Sequence, residues 1–269
     1  MFDKDYWDGV SIPWWQVLLL IVATLAVIAG IIAVVSLIER RRGNKFELKT
    51  RDLTYGAICI AASFALSYVK FFSLPYGGSI TAASTLPMLI YCYYFGFRKG
   101  LTVSTVFMLL QLIQGPYIVS PWSALLDYFF PYLALSLVGI FSFKRAKYAE
   151  AVAAGKNPLA PHAGFFIGTA VYFIVRLFSH TLAGVLFWAN GIDFMGWVGD
   201  LTGATAWAYS TTYNALFLVP DTAIALAAGI FLLASKAFNR FMASSANALQ
   251  NSDSRAKNDK RTAAGTDER

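Results

Sequence analysis

The sequence predicts an all-α polytopic membrane helical bundle, a six-span core preceded by one extra amino-terminal transmembrane helix. Three observations predict it. Of the 269 residues, 57% are apolar and 14% charged, against about 45–50% and about 25% in soluble domains. The mean hydropathy is +0.55. The basic residues lie almost entirely between or beyond apolar runs, with only Lys4, Lys70 and Arg176 outside those clusters. Such a composition excludes an ordinary soluble domain, a disordered chain and a fibrous repeat. Cys59 and Cys92 both sit in apolar stretches, where cysteine acts as a small hydrophobe. Two cysteines are too few for a disulfide scaffold or a cysteine-built metal site.

The first expected helix runs from Trp14 to Ile38, with Gln16 as its only strongly polar side chain. A crossing needs about 20 apolar residues. A secretory signal would open with basic residues and carry a shorter apolar core, whereas this chain begins Met1-Phe2-Asp3-Lys4-Asp5. The segment is therefore expected to be a permanent anchor, with Trp14 and Trp15 at one interface and Arg40–Arg42 at the other. Six further runs follow at roughly 53–72, 80–97, 101–114, 122–143, 163–189 and 206–235. With the amino end outside, the loops at 39–52, 98–100 and 144–162 and the carboxyl tail all face the cytoplasm. Every strong basic cluster then lies inside, and the loops near 73–79, 115–121 and 190–205 contain no Lys or Arg. The expected divisions are 1–51, an anchor with a basic cytoplasmic loop; 52–243, the six-span core; and 244–269, a polar, disordered cytoplasmic tail.

No GxxxxGK[ST] phosphate loop, HExxH zinc motif or GxSxG elbow occurs, and two histidines exclude a histidine-rich metal site. Function must then lie in the few polar groups within the spans, where such groups are costly and usually functional. Arg176, His180, Gly184 and Trp188 recur every four residues and share one helix face. A cation, an imidazole, a bare backbone patch and an indole suit the wall of a ligand cavity. The plainer alternative has Arg176 neutralising Asp127 or Asp221 and Gly184 making a close helix contact. Asp127 and Tyr128 interrupt an apolar span, and the carboxylate needs a cationic or hydroxyl partner. Trp207 to Asn214 opens the last span, with Tyr209 and Tyr213 on one face and Asn214 able to donate and accept. Asp221, after Pro220, reads as an Arg176 partner or a cap; Lys70 snorkels to the outer interface; and His162 is expected to be solvated. A carboxylate, an imidazole, an amide and several rings suit a flat, heteroaromatic, cationic ligand. Separately, Ala57, Ala61 and Ala65 form a small-residue stripe that admits another helix, from inside the protein or from a partner.

Over about residues 52–236 the chain resembles the thiamine-specific substrate-binding subunits of energy-coupling factor transporters, the ThiT or YuaJ family. Four ordered stretches carry the resemblance: Arg98-Lys99-Gly100-Leu101, Leu126-Asp127-Tyr128, Arg176 to Trp188 with its His-x-x-x-Gly-x-x-x-Trp, and Ala208-Tyr209-Ser210 with Asn214 beyond. The resemblance implies that Tyr128, His180, Gly184, Trp188, Tyr209 and Asn214 line a thiamine pocket. Asp127 stands where the family has a glutamate facing the cationic ligand. The outer loop departs from the family, which has a tryptophan and a glutamate there, while this chain reads Tyr76-Gly77-Gly78-Ser79-Ile80-Thr81. The Ala57/Ala61/Ala65 stripe resembles the docking surface for a transmembrane coupling subunit, which with two ATPase subunits would drive uptake. The expectation is thus a plasma-membrane thiamine-binding subunit, not an enzyme, with no cofactor and no nucleic-acid partner. The competing readings are a stand-alone cation-coupled thiamine carrier and a binding subunit for another vitamin such as riboflavin. From other classes come an intramembrane enzyme using Asp127 and His180, and a scaffold without ligand.

Overall fold

The computed structural model describes residues 47–74, 77–118, 121–188, 192–194, 197–199 and 203–242, together with Gly30, Ala33, Val34 and Leu37, which are helical. The rest of the expected anchor over 14–38 and the tail from 244 lie outside the described residues. Helices occupy all six expected core runs. They are α1 (Thr50–Tyr68), α2 (Leu86–Phe95), α3 (Phe97–Gln111), α4 (Trp122–Phe141), α6 (Ala163–Ala183) and α7 (Gly203–Ala234). Among the described residues, three segments are by themselves long and apolar enough to cross a membrane: Trp122–Phe141, Ala160–Phe187 and Gly203–Ala234.

Several boundaries differ from the sequence expectation, each for a local reason. The run expected over 53–72 stops being helical at Tyr68. Lys70–Ser73 becomes strand β1 and pairs antiparallel with β2 (Ser79–Thr81), Lys70 opposite Thr81 and Ser73 opposite Ser79. Val69, Phe71 and Phe72 favour a strand, Gly77 (φ +104°) turns it back, and hydropathy alone cannot tell a short strand from a helix. The inner turn expected at Arg98–Gly100 lies instead at Gly96 (φ +85°), a left-handed backbone that glycine adopts without a steric penalty. Arg98 and Lys99 are thereby moved into the first turn of α3. The expected inner loop over 144–162 contains helix α5 (Arg145–Ala153), and the outer loop near 190–205 contains a second hairpin, β3 (Ile192–Phe194) with β4 (Trp197–Gly199).

The core forms around α2. Met88, Leu89, Tyr91, Cys92 and Tyr93 are all buried, so this helix is enclosed on every face by α1, α3, α4 and α6. Backbone-to-backbone approach makes the enclosure tight. A Cβ on Gly139 would strike the Gly96–Phe97 backbone, and one on Gly168 would come within 2.9 Å of Val138 Cα. Lys99 Nζ reaches the fully buried Asp52 carboxylate at 2.7 Å, which ties the start of α3 to the start of α1. Asp52 also accepts the Lys49 backbone N–H at 3.1 Å, as an acidic residue in a first helical turn does.

His162 corrects the expectation of a solvated histidine. It is fully buried, with Nδ1 3.2 Å from Tyr93 Oη and its ring stacked on Phe143 at 5.6 Å. The short turn Ala160–His162 folds it inward beneath α6, and its aromatic neighbours replace the water that a loop position would have provided.

Candidate functional site

The site begins with an irregularity in α4. Residues Leu125–Phe129 form a π turn, in which one extra residue loosens the i to i−4 ladder. Ser179 Oγ donates to the Leu126 carbonyl at 2.5 Å, which fixes α6 against this turn. The next residue on each element meets its counterpart: His180 Nδ1 lies 3.0 Å from Asp127 Oδ1. A carboxylate only accepts, so Nδ1 carries the hydrogen. The other ring nitrogen, Nε2, is buried without a protein partner. Tyr128 Oη accepts the Tyr117 backbone N–H at 2.9 Å and so pins the loop before α4 over the same space.

A second π turn, Gly184–Trp188, continues α6. At Gly184 an added Cβ would collide with the Ser210 side chain, so glycine is what lets α7 come this close. Ser210 Oγ donates to the Thr181 carbonyl at 2.7 Å, and Asn214 Nδ2 donates to the Ser210 carbonyl at 2.9 Å. Along α7, Tyr209, Tyr213 and Phe217 recur every four residues. Tyr209 and Tyr213 stack at 6.2 Å, Tyr213 meets Phe217 edge-on at 6.1 Å, and Phe217 meets the His180 ring edge-on at 6.0 Å. The turn of the β1–β2 hairpin completes the wall, with Gly78 so close to Phe217 that a Cβ would come within 2.7 Å of its ring.

These groups enclose a cavity of about 150 Å³, measured as the space in which the centre of a water molecule fits. Asp127, Tyr128, His180, Gly184, Tyr209 and Asn214 all line it. Of the expected pocket residues, only the Trp188 side chain lies outside what is described. Ala57, Ala61 and Ala65 do not line the cavity; all three are exposed on α1. The structure adds Gly77–Ser79, Tyr117, Tyr132, Ser210, Tyr213 and Phe217 to the expected set. Phe217 was legible as the third member of the Tyr209/Tyr213 stripe. Tyr132 was masked by the π turn, which shifts the phase of α4, and Tyr117 carries no sequence signal.

Arg176 lines the cavity too, but its charge is matched elsewhere. Its Nη1 lies 3.4 Å from Asp221 Oδ2 and donates to Tyr172 Oη at 3.1 Å. Of the two carboxylates weighed as its partner, the structure selects Asp221, and Asp127 is left to His180. Among the described residues, Asp127 is thus the carboxylate on the wall that no Arg or Lys pairs, and it lies beside aromatic faces. No cluster of His, Cys, Asp or Glu suited to a metal ion occurs among the described residues.

Known proteins resemble this chain in sequence and in fold. The chain is 29% identical over 168 residues to the thiamine transporter ThiT of Bacillus subtilis, an overlap of 61% of this chain and 81% of that protein. Its fold matches a solved structure of ThiT from Listeria monocytogenes at a TM-score of 0.52 and 22% identity, covering 68% of this chain and 92% of that one. The family described as thiamine transporter protein (Thia_YuaJ) matches residues 53–241, most of the chain and nearly all of the core. Its members are thiamine transporters rather than enzymes, and this membrane protein belongs to that family.

Proposed function

We propose that the chain is the thiamine-capturing subunit of an energy-coupling factor uptake system and that Asp127, Tyr128, His180, Gly184, Trp188, Tyr209 and Asn214 form its binding site. One observation carries the reading: a carboxylate–imidazole pair on the wall of an aromatic cavity, with His180 Nε2 buried and unpartnered. In the neutral tautomer set by Asp127, Nε2 holds a lone pair and accepts an N–H from the ligand's amino group. Asp127 compensates the ligand's positive charge, and Tyr209 and Tyr213 offer faces to its cationic ring. A neutral vitamin such as riboflavin would leave the Asp127 charge unmatched.

Gly77–Ser79 and Tyr117 on the cavity wall belong to loops that lack Lys and Arg, which the positive-inside rule assigns to the outer side. Capture is therefore from outside, with the amino terminus outside and the carboxyl tail in the cytoplasm. Nothing in the chain hydrolyses ATP through a phosphate loop, so the energy comes from partners: a transmembrane coupling subunit and two ATPase subunits. The exposed Ala57/Ala61/Ala65 stripe supports docking of the coupling subunit, because small residues left uncovered on a membrane helix admit close approach of another.

The test is a titration of the detergent-purified chain with thiamine, followed by tryptophan fluorescence. Saturable quenching at submicromolar thiamine, lost in folded Asp127→Ala and His180→Ala variants, is the expected result. Folded protein with no response refutes the assignment. Uptake in cells that persists without the ATPase subunits would instead favour a stand-alone carrier.

A further inference from the structure

Asp221 does not line the cavity, yet it contacts two of its walls. It is buried on α7, one residue after Pro220. Its Oδ2 faces Arg176 Nη1 at 3.4 Å. Its Oδ1 accepts the Thr81 backbone N–H at 3.0 Å and the Thr81 hydroxyl at 2.7 Å, at the end of the β1–β2 hairpin whose turn lines the cavity. One oxygen thus meets the only guanidinium on the cavity wall among the described residues, and the other secures strand β2.

We infer that Asp221 is a specificity-determining residue, which neutralises Arg176 so that the site takes the free cationic ligand in preference to its phosphate ester. The inference rests on the thiamine reading above. With Arg176 matched by Asp221, the wall carries the charge of Asp127 alone, which attracts a cation and opposes an added phosphate. Without the Asp221 charge, Arg176 would still be held at the wall by Tyr172, through the 3.1 Å hydrogen bond and the ring 5.9 Å beneath its guanidinium. Its positive charge would then offset Asp127 and offer a fork suited to phosphate oxygens. The site's preference is therefore set by a residue that the ligand does not touch.

Asp221→Asn separates the two contacts, since its amide oxygen can still accept from Thr81 while the charge facing Arg176 is lost. The experiment measures dissociation constants for thiamine and thiamine monophosphate, by fluorescence, on each detergent-purified variant. In Asp221→Asn the affinity ratio is expected to move toward the monophosphate by about tenfold or more, the scale of one charge at short range in a partly dry site. The double variant Asp221→Asn/Arg176→Gln should return the ratio to near the starting value, and Arg176→Gln alone should move it the opposite way. A structural role would weaken both ligands alike and leave the ratio fixed, which overturns the inference. A shift that persists in the double variant overturns it too. Should Asp221→Asn fail to fold, an unmoved ratio in Arg176→Gln does the same. A starting protein that binds thiamine with no ratio change in the variants sinks this inference alone, whereas one that binds neither compound sinks the reading beneath it.

Discussion

Gly184→Ala is the most sensitive probe of how the cavity is built. The added methyl would collide with the Ser210 side chain, and the Ser210 Cβ itself lies 2.9 Å from the new atom, so a rotamer change alone gives no relief. Either α7 withdraws on the order of 1 Å or Ser210 abandons its bond to the Thr181 carbonyl, because packed interiors have little free space to absorb the change. Overpacking costs about 1–3 kcal/mol, and loss of the Ser210 hydrogen bond adds about 1 kcal/mol. Alanine's better helix propensity returns at most about 1 kcal/mol. The net cost of about 1–3 kcal/mol should lower the melting temperature in detergent by roughly 2–12 °C, at about 2–4 °C per kcal/mol for a chain of this size. Binding should suffer more than stability, because Asn214 moves with Ser210 and both line the cavity. Displacement of about 1 Å in a positioned site can cost about a hundredfold. The assay is a thermal melt paired with a thiamine titration on the same preparation. Ser210→Gly in the Gly184→Ala background removes the obstructing side chain and should recover much of the lost affinity. A Gly184→Ala variant with unchanged melting and unchanged binding would refute the reasoning.

Three further outcomes follow from the same geometry. Asp127→Asn keeps the size of the side chain and removes its charge, so thiamine affinity should fall by about 30-fold or more, the effect of truncating one member of a desolvated charged pair; calorimetric titration showing less than a threefold loss would exclude a charge role for Asp127. Lys99→Ala strands the fully buried Asp52 carboxylate and should destabilise the fold by about 3–5 kcal/mol; a Lys99→Met/Asp52→Asn pair should recover most of that loss in a thermal melt. Ala61→Leu adds bulk to an exposed position and should change stability by under about 0.5 kcal/mol; thiamine binding should persist while uptake with the energising subunits is lost, and normal uptake would remove the stripe from the proposed docking surface.

Much of the site was legible in sequence because membrane spans are chemically sparse. In an apolar helix a single polar residue stands out, so Asp127, His180 and Asn214 could be found from composition and spacing. The four-residue period of Arg176, His180 and Gly184 placed them on one face, and all three line the cavity. Less was legible where backbone geometry departs from a regular helix. The π turn at Leu125–Phe129 leaves no mark in hydropathy, yet it carries Asp127 to His180 and brings Tyr132 to the wall. Strand β1 falls largely within the apolar run expected over 53–72, because Val69, Phe71 and Phe72 are apolar under either reading. The place of His162 beside a proline in sequence suggests solvent, whereas its aromatic neighbours come from α2 and from Phe143 and Tyr148, which no local pattern announces.

The sequence alone determined that this is a helical membrane protein, where its apolar runs lie and which of their residues are polar. These properties depend on transfer of single segments from water to lipid and on local periodicity, both of which are additive along a chain. Only the tertiary structure decided which charge answers which. Arg176 had two acidic candidates in sequence, and the packing of α6 against α7 selected Asp221 and left Asp127 with His180. Pairing of buried charges depends on distances of 3–4 Å between separate helices, and a sequence order specifies no such distance.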